Sequence, residues 1–226
     1  MTKEQIFQTV DHTQLAAFST WVQIERLCKE AIEYKTASVC IPPSYIKRVH
    51  EAFPELNLCT VIGFPLGYNT KECKVQEVKQ AIEEGASEVD MVINIGDVKN
   101  GDYDKITEEI QSLKEAAGDN ILKVIVEACY LTEEEKVKIC ECVTKGGADY
   151  IKTSTGFGSG GATIEDIDLF KKYIGSEVKM KAAGGIRTRE AMEAFIEHGC
   201  SRIGCSGAIA ALNDDKTETT NLKGEY

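Results

Sequence analysis

Two lysines, Lys152 and Lys181, each close a short apolar run, and a glycine-containing turn follows each one. The stretches read ADYIKTSTGFGSGGAT from Ala148 to Thr163 and VKMKAAGGIRT from Val178 to Thr188. A lysine at the mouth of a buried strand is costly to desolvate, so two of them point to chemistry rather than packing. Ammonium groups held close together disfavour each other's charged form. The neutral amine that results attacks a carbonyl carbon and forms a Schiff base. Tuning a lysine from about 10.4 down to about 7–8 takes roughly 4 kcal/mol. One like-charged neighbour plus partial burial supplies that much. The pair therefore predicts carbonyl chemistry.

Such lysines need strands to carry them. Eight apolar runs read as strands: Phe7–Asp11, Ser38–Ile41, Leu56–Gly63, Glu88–Ile93, Leu122–Ala128, Tyr150–Thr153, Val178–Ala182 and Arg202–Cys205. Several lack polar alternation, as strands buried on both faces do. Helices start between them, at the capping boxes Thr20-x-x-Gln23 and Thr132-x-x-Glu135 and the close variant Thr163-x-x-Asp166. Apolar residues then recur at helical spacing, as in Ile24, Leu27, Cys28 and Ala31, or Ile164, Ile167, Phe170 and Ile174. Ile46, Val49 and Phe53, and Ile106, Ile110 and Leu113, mark two further core faces. Eight strands alternating with helices predict a single (β/α)8 TIM barrel, an α/β fold, with a short N-terminal helix. An open doubly wound sheet is the alternative, but no G-x-G-x-x-G follows the first strand and no P-loop motif is present. Residues 1–212 form the barrel in this reading, and the polar residues 213–226 a mobile tail.

A barrel of this kind holds its active site at the C-terminal ends of the strands. Lys152 then ends strand six and Lys181 ends strand seven. Gly184-Gly185 follows strand seven, and Gly204-Cys205-Ser206-Gly207 follows strand eight. Backbone N–H groups bared by glycine on these two loops make an anion site suited to phosphate. On strand four Glu88, Asp90 and Val92 share a face. Asp90 is placed to pair with one ammonium and relay protons through water, or to serve as a salt bridge on the barrel wall. Asp11 ends strand one, where it binds a substrate hydroxyl or orients a lysine. His12 faces the other way and reads as a structural histidine. Lys179 shares parity with Lys181 but lies one layer deeper, and no catalytic role is assigned to it.

The net charge of −11 argues against nucleic-acid binding through the general surface. No apolar stretch approaches the roughly 18 residues of a membrane span, and the N-terminus lacks the apolar core of a signal peptide. Nine cysteines, an odd number set mostly in predicted strands and helix faces, predict buried thiols in a reducing cytoplasm. With three histidines and no metal-binding spacing, neither metal nor cofactor is expected.

EVDMVINIG, DYIKTSTGFGSGGAT, KAAGGIRT and RIGCSGA, together with VDHTQL, VCIPP and VIGFPLG, resemble the deoxyribose-phosphate aldolase family over nearly the whole chain. The resemblance implies a cytoplasmic, metal-free class I aldolase on a (β/α)8 barrel. Such enzymes reversibly cleave 2-deoxy-D-ribose 5-phosphate to acetaldehyde and D-glyceraldehyde 3-phosphate. By resemblance, Lys152 is the Schiff-base lysine, Lys181 the lysine that lowers its pKa, and Asp90 the acid of a proton relay. Asp11 matches a residue near the substrate hydroxyls, and Cys40 a cysteine of the family pocket. Thr155, Gly156, Gly184, Gly185, Gly204, Ser206 and Gly207 match the substrate and phosphate side. Phe157 departs from members that place a lysine near the phosphate. Tyr226 matches a C-terminal tyrosine that reaches the site in some relatives. The implied partners are the sugar phosphate and acetaldehyde, with no nucleic acid or membrane, and the resemblance allows a homodimer. The rival readings are another Schiff-base barrel aldolase and a non-catalytic sugar-phosphate-binding barrel.

Overall fold

Thr2 caps the first helix. Its hydroxyl accepts from the Gln5 backbone N–H, and the Gln5 side chain accepts from the Thr2 N–H in return. In the computed structural model, which describes residues 1–213, this helix is α1, Lys3–Phe7. It takes Phe7 out of the apolar run expected for strand one, so β1 is Val10–Thr13. The remaining strands are β2 Ser38–Cys40, β3 Leu58–Ile62, β4 Glu88–Val92, β5 Ile121–Ile125, β6 Tyr150–Lys152, β7 Lys179–Ala183 and β8 Arg202–Cys205. Each pairs in parallel with the next, and β1 pairs with β8 to close the barrel.

The helices are α2 Trp21–Tyr34, α3 Ile46–Ala52, α4 Lys71–Glu83, α5 Ile95–Asn100 and α6 Tyr103–Ala117. They continue as α7 Glu133–Lys145, α8 Ile164–Tyr173, α9 Arg189–Glu197 and α10 Ala208–Asn213. The fold is the expected (β/α)8 barrel, and the expected caps are in place. Gln23 accepts from the Thr20 N–H at 2.8 Å, Glu135 from the Thr132 N–H at 2.7 Å, and Thr163 from the Asp166 N–H at 3.1 Å. Helix α10 runs one residue past the expected barrel boundary at residue 212. The rest of the predicted tail, Tyr226 included, lies outside the described residues.

Strand parity sorts the barrel into two environments. Val89, Met91, Leu122, Val124, Ile151, Met180 and Ile203 point outward and join one apolar layer with the helix residues Ile24, Ile110, Leu113, Ile167 and Phe170. The opposite parity turns Asp11, Glu88, Asp90, Lys123, Lys152, Lys181 and Arg202 toward the barrel axis, where the first six are buried and Arg202 nearly so. A small separate cluster of Cys40, Cys59 and Val61 packs with Leu15 and Phe64 on the β2–β3 side.

Strand bounds differ from expectation where they matter for the site. β7 runs through Ala183, so Lys181 is its middle residue rather than its end. β5 stops at Ile125, two residues before Glu127, whose backbone is left-handed at φ 40°. Lys179 begins β7 with an exposed side chain, its ammonium 5.8 Å from the centre of the Tyr150 ring. No helix among the described residues is long and apolar enough to cross a membrane.

Candidate active site

Closure of the barrel brings together side chains that are far apart in sequence. Asp90 stands level with Lys123 of β5, Lys152 with Lys181 of β7, and Lys181 with Arg202 of β8. Lys152 Nζ donates to Asp90 Oδ2 at 2.8 Å, and Lys181 Nζ donates to the same oxygen at 2.7 Å. The other Asp90 oxygen accepts from Lys123 Nζ at 2.8 Å, and Lys123 also lies 2.6 Å from Glu88 Oε2. Lys181 makes a second, short bond to Asp11 Oδ2. Asp11 Oδ1 accepts from Ser38 Oγ at 2.8 Å and from Arg202. Arg202 grips Glu88 with both terminal nitrogens, at 3.0 and 2.8 Å.

Among the described residues four cations, Lys123, Lys152, Lys181 and Arg202, face three carboxylates, Asp11, Glu88 and Asp90. The network carries one positive charge too many, and loss of one proton would balance it. Lys123, Lys181 and Arg202 each contact two or more of these carboxylates, whereas Lys152 contacts only Asp90. Lys152 is the most weakly held of the four.

The same contacts fix the protonation of its neighbours. Burial works against the charge on Lys181, but the Asp11 and Asp90 carboxylates outweigh it and hold this ammonium well above the usual lysine range. Lys123 is held above that range in the same way, chiefly by Asp90. Burial opposes ionisation of Asp11 and Asp90, yet Lys181 and Lys123, with Lys152 and Arg202, keep both below the usual carboxylate range. Mutual depression of the two lysines is therefore not what the site shows for Lys181. The shared Asp90 oxygen between them makes it a fixed cation.

A cavity at the C-terminal ends of the strands meets this network at a single side chain, Lys152. Thr13, Leu15, Thr155, Gly156, Phe157 and Ile186 form part of its wall. Gly184, Gly185, Gly204 and Ser206 form a second part, with the exposed Arg187. Space is tight at Gly204, where a Cβ would lie 3.0 Å from Ala183 Cβ and 3.2 Å from Lys181 Cε. Deeper in, the Sγ atoms of Cys40 and Cys59 and an Asp90 oxygen lie within 4.8 Å of one another. Three ammonium groups ring that aspartate and repel a further cation. Burial, with Cys40 and Asp90 alongside, also pushes the Cys59 thiol far above its ordinary range, against the thiolate a metal requires.

The match to the DeoC/LacD family of aldolases spans residues 5–215. The chain belongs to the DeoC/LacD aldolase family. It is 58% identical over 219 residues to the deoxyribose-phosphate aldolase of Clostridium botulinum strain Alaska E43, covering 96% of this chain and 99% of that one. It is 56% identical over 217 residues to the enzyme of that name from Clostridioides difficile strain 630, covering 95% and 99% of the two chains. The solved tetrameric deoxyribose phosphate aldolase of Aeropyrum pernix superposes with a TM-score of 0.87 at 26% identity, over 93% of this chain and 91% of that one.

The residues that the sequence marks as site candidates divide by their place in the barrel. Lys152, Lys181 and Asp90 meet in one hydrogen-bonded cluster, although only Lys152 reaches the cavity. Thr155, Gly156, Gly184, Gly185, Gly204 and Ser206 line that cavity, with Gly207 next in sequence. Asp11 and Cys40 depart from their expected place as pocket residues: both are fully buried and neither lines the cavity. Asp11 is occupied by Ser38, Lys181 and Arg202, so of its two expected roles the structure fits orienting a lysine. Cys40 packs against Cys59, Val61 and Leu15 instead. His12 faces away as expected, its Nε2 2.9 Å from Glu30. All nine cysteines are free.

Sequence reasoning missed Lys123, Arg202, Arg187 and Glu127. Lys123 had a usable signal, since it shares inward parity with Ile125, and an inward lysine in an apolar strand needs a partner. Arg187 stood in the GGIRT motif without a role.

Proposed function

We propose that the protein is a class I aldolase that reversibly cleaves 2-deoxy-D-ribose 5-phosphate to acetaldehyde and D-glyceraldehyde 3-phosphate through a Schiff base on Lys152. One observation carries the reading: of four clustered cations, Lys152 alone lines the cavity, and it has the fewest carboxylate partners. It is the group best placed to lose its proton and add to a carbonyl. Lys181, held charged by Asp11 and Asp90, keeps positive charge beside Lys152 and disfavours a second ammonium there.

Neutral Lys152 adds to the C1 carbonyl of the open-chain sugar, and loss of water gives an iminium. A base removes the C3 hydroxyl proton, the C2–C3 bond breaks, and its electron pair flows into the iminium to leave an enamine. Glyceraldehyde 3-phosphate departs. Protonation of the enamine at C2 and hydrolysis then release acetaldehyde and the free lysine. The Asp90–Lys181 pair, with Asp90 in contact with Lys152, relays these protons by way of water. The glycines of the β7 and β8 loops and the Arg187 guanidinium bind the phosphate, Arg187 supplying the cation that Phe157 lacks.

The reading allows a homodimer and includes one catalytic domain over residues 1–212 and a cytoplasmic, metal-independent place in deoxyribose phosphate breakdown. Buried free thiols and an ammonium-ringed Asp90 support the last two points. The test is incubation with 2-deoxyribose 5-phosphate and direct assay of both products. Acetaldehyde and glyceraldehyde 3-phosphate should appear in equal amounts and vanish in Lys152→Leu. An intact 2-deoxyribose 5-phosphate, with cleavage of a keto-sugar acid or a ketose phosphate supplied in its place, would favour another Schiff-base aldolase instead.

A further inference from the structure

Two non-glycine residues have a left-handed backbone among those described, Lys35 and Glu127. Lys35 caps the C-terminus of α2, an ordinary place for that conformation. Glu127 ends no helix. It sits just past β5, at φ 40° and ψ 61°, with its side chain buried beneath the mouth of the barrel. Acidic residues with such a backbone are uncommon, and where they persist the surroundings hold them for a reason.

The surroundings are the loop that follows Lys152. Glu127 Oε1 accepts from the Thr155 backbone N–H at 3.2 Å, and Oε2 accepts a short bond from the Thr155 hydroxyl. That hydroxyl in turn accepts from the Phe157 N–H at 3.0 Å. The backbone joins the same two segments, Ala128 N–H donating to Thr153 O at 2.8 Å. Gly158 folds directly over the carboxylate, and a Cβ there would lie 2.9 Å from Glu127 Cδ. Thr155, Gly156 and Phe157 line the cavity, whereas Glu127 does not.

We infer that Glu127 is a positioning residue, a buried carboxylate clamp that sets the pose of the Thr155–Phe157 loop and thereby shapes the phosphate side of the cavity. The single hydroxyl proton of Thr155 is committed to Glu127, so toward the cavity this side chain offers only an acceptor. An acceptor cannot bind a phosphate oxygen. Thr155 thus belongs to the scaffold of the loop rather than to the set of phosphate donors. The inference rests on the aldolase reading, since it assigns that side of the cavity to the phosphate.

The experiment compares 2-deoxyribose 5-phosphate with unphosphorylated 2-deoxyribose in the full-length enzyme. Glu127→Gln places an amide against two donors where it can accept from only one. KM for the phosphorylated sugar should rise about tenfold, the worth of one charge-assisted hydrogen bond, while KM for the unphosphorylated sugar changes little. Thr155→Val should reproduce the effect if Glu127→Gln does not fold, Thr155→Ser should restore wild-type KM, and the double variant should be far from additive. Equal loss on both sugars, or an unchanged KM for the phosphorylated one in the variants, overturns the inference while the aldolase reading stands. An unmutated enzyme that cleaves neither sugar overturns both.

Discussion

The inside of the barrel and the layer outside it are built from the same eight strands, yet they obey opposite rules. Outward-facing Val89, Met91, Val124 and Ile151 pack against helix residues such as Ile110 and Phe170, and burial of each such side chain contributes about 1.5–3 kcal/mol. Inward-facing Asp90, Lys123, Lys152 and Lys181 place full charges in the same low-dielectric interior, where desolvation is costly and pairing must offset it. The outer layer holds the strands in register. The inner set uses that register to hold ammonium groups where solvent would otherwise disperse them. A core of this kind is weak evidence for stability and better evidence for chemistry.

The sharpest way to separate the two regions is to delete the proposed nucleophile. Lys152→Leu should leave the fold intact and lower aldol cleavage by about 10⁴-fold or more, as loss of a covalent nucleophile does. Circular dichroism and product assay check the two halves of this outcome. The mirror experiment is Phe170→Ala in the outer layer, where a fully buried ring on α8 disappears. It should cost about 3–5 kcal/mol in urea unfolding while leaving kcat of the folded enzyme near wild type. A large fall in kcat there would mean that the two regions are not independent.

Lys181→Leu comes next in size. It removes a cation fixed beside Asp90, so the carboxylate acts more strongly on Lys152 and favours its ammonium form. Activity at neutral pH should fall by about 10²-fold, and the profile of kcat/KM should move to higher pH. An unmoved profile would remove Lys181 from the tuning role.

The smallest effect is on stability against pH. Asp11 and Asp90 have lowered folded pKa values, so their contribution is complete above about 3.9 and is lost as pH falls through the folded values. Lys123 and Lys181 have raised folded values, so theirs is complete below about 10.4 and is lost as pH rises through the folded values. The contribution of these four groups is therefore flat between about pH 5 and pH 9, and Tm should show no step assignable to them there.

Much of this division was legible in the sequence. Strand phase put Asp90 and Glu88 on one face, capping residues marked the helix starts, and Lys152 closed its strand as expected. Harder to read were features that exist only after closure. Arg202 opens the last strand and bonds Asp11, 191 residues earlier, a contact that local pattern cannot announce. Lys181 reads as a strand end because a glycine-containing turn follows it closely, although β7 continues through Ala182 and Ala183. Its raised rather than lowered pKa followed from Asp11, whose partner was open at the level of sequence. Glu127 was hidden inside the VIVEACY run, where an apolar stretch masked the left-handed turn that ends β5.

The central claim is that one lysine of this ionic core is free to become a nucleophile. Intact mass after borohydride reduction in the presence of acetaldehyde tests it most directly. The account predicts a two-carbon ethyl adduct on the wild-type protein, retained in Phe170→Ala and absent in Lys152→Leu. An unmodified wild-type chain, or an adduct that survives in Lys152→Leu, would contradict it.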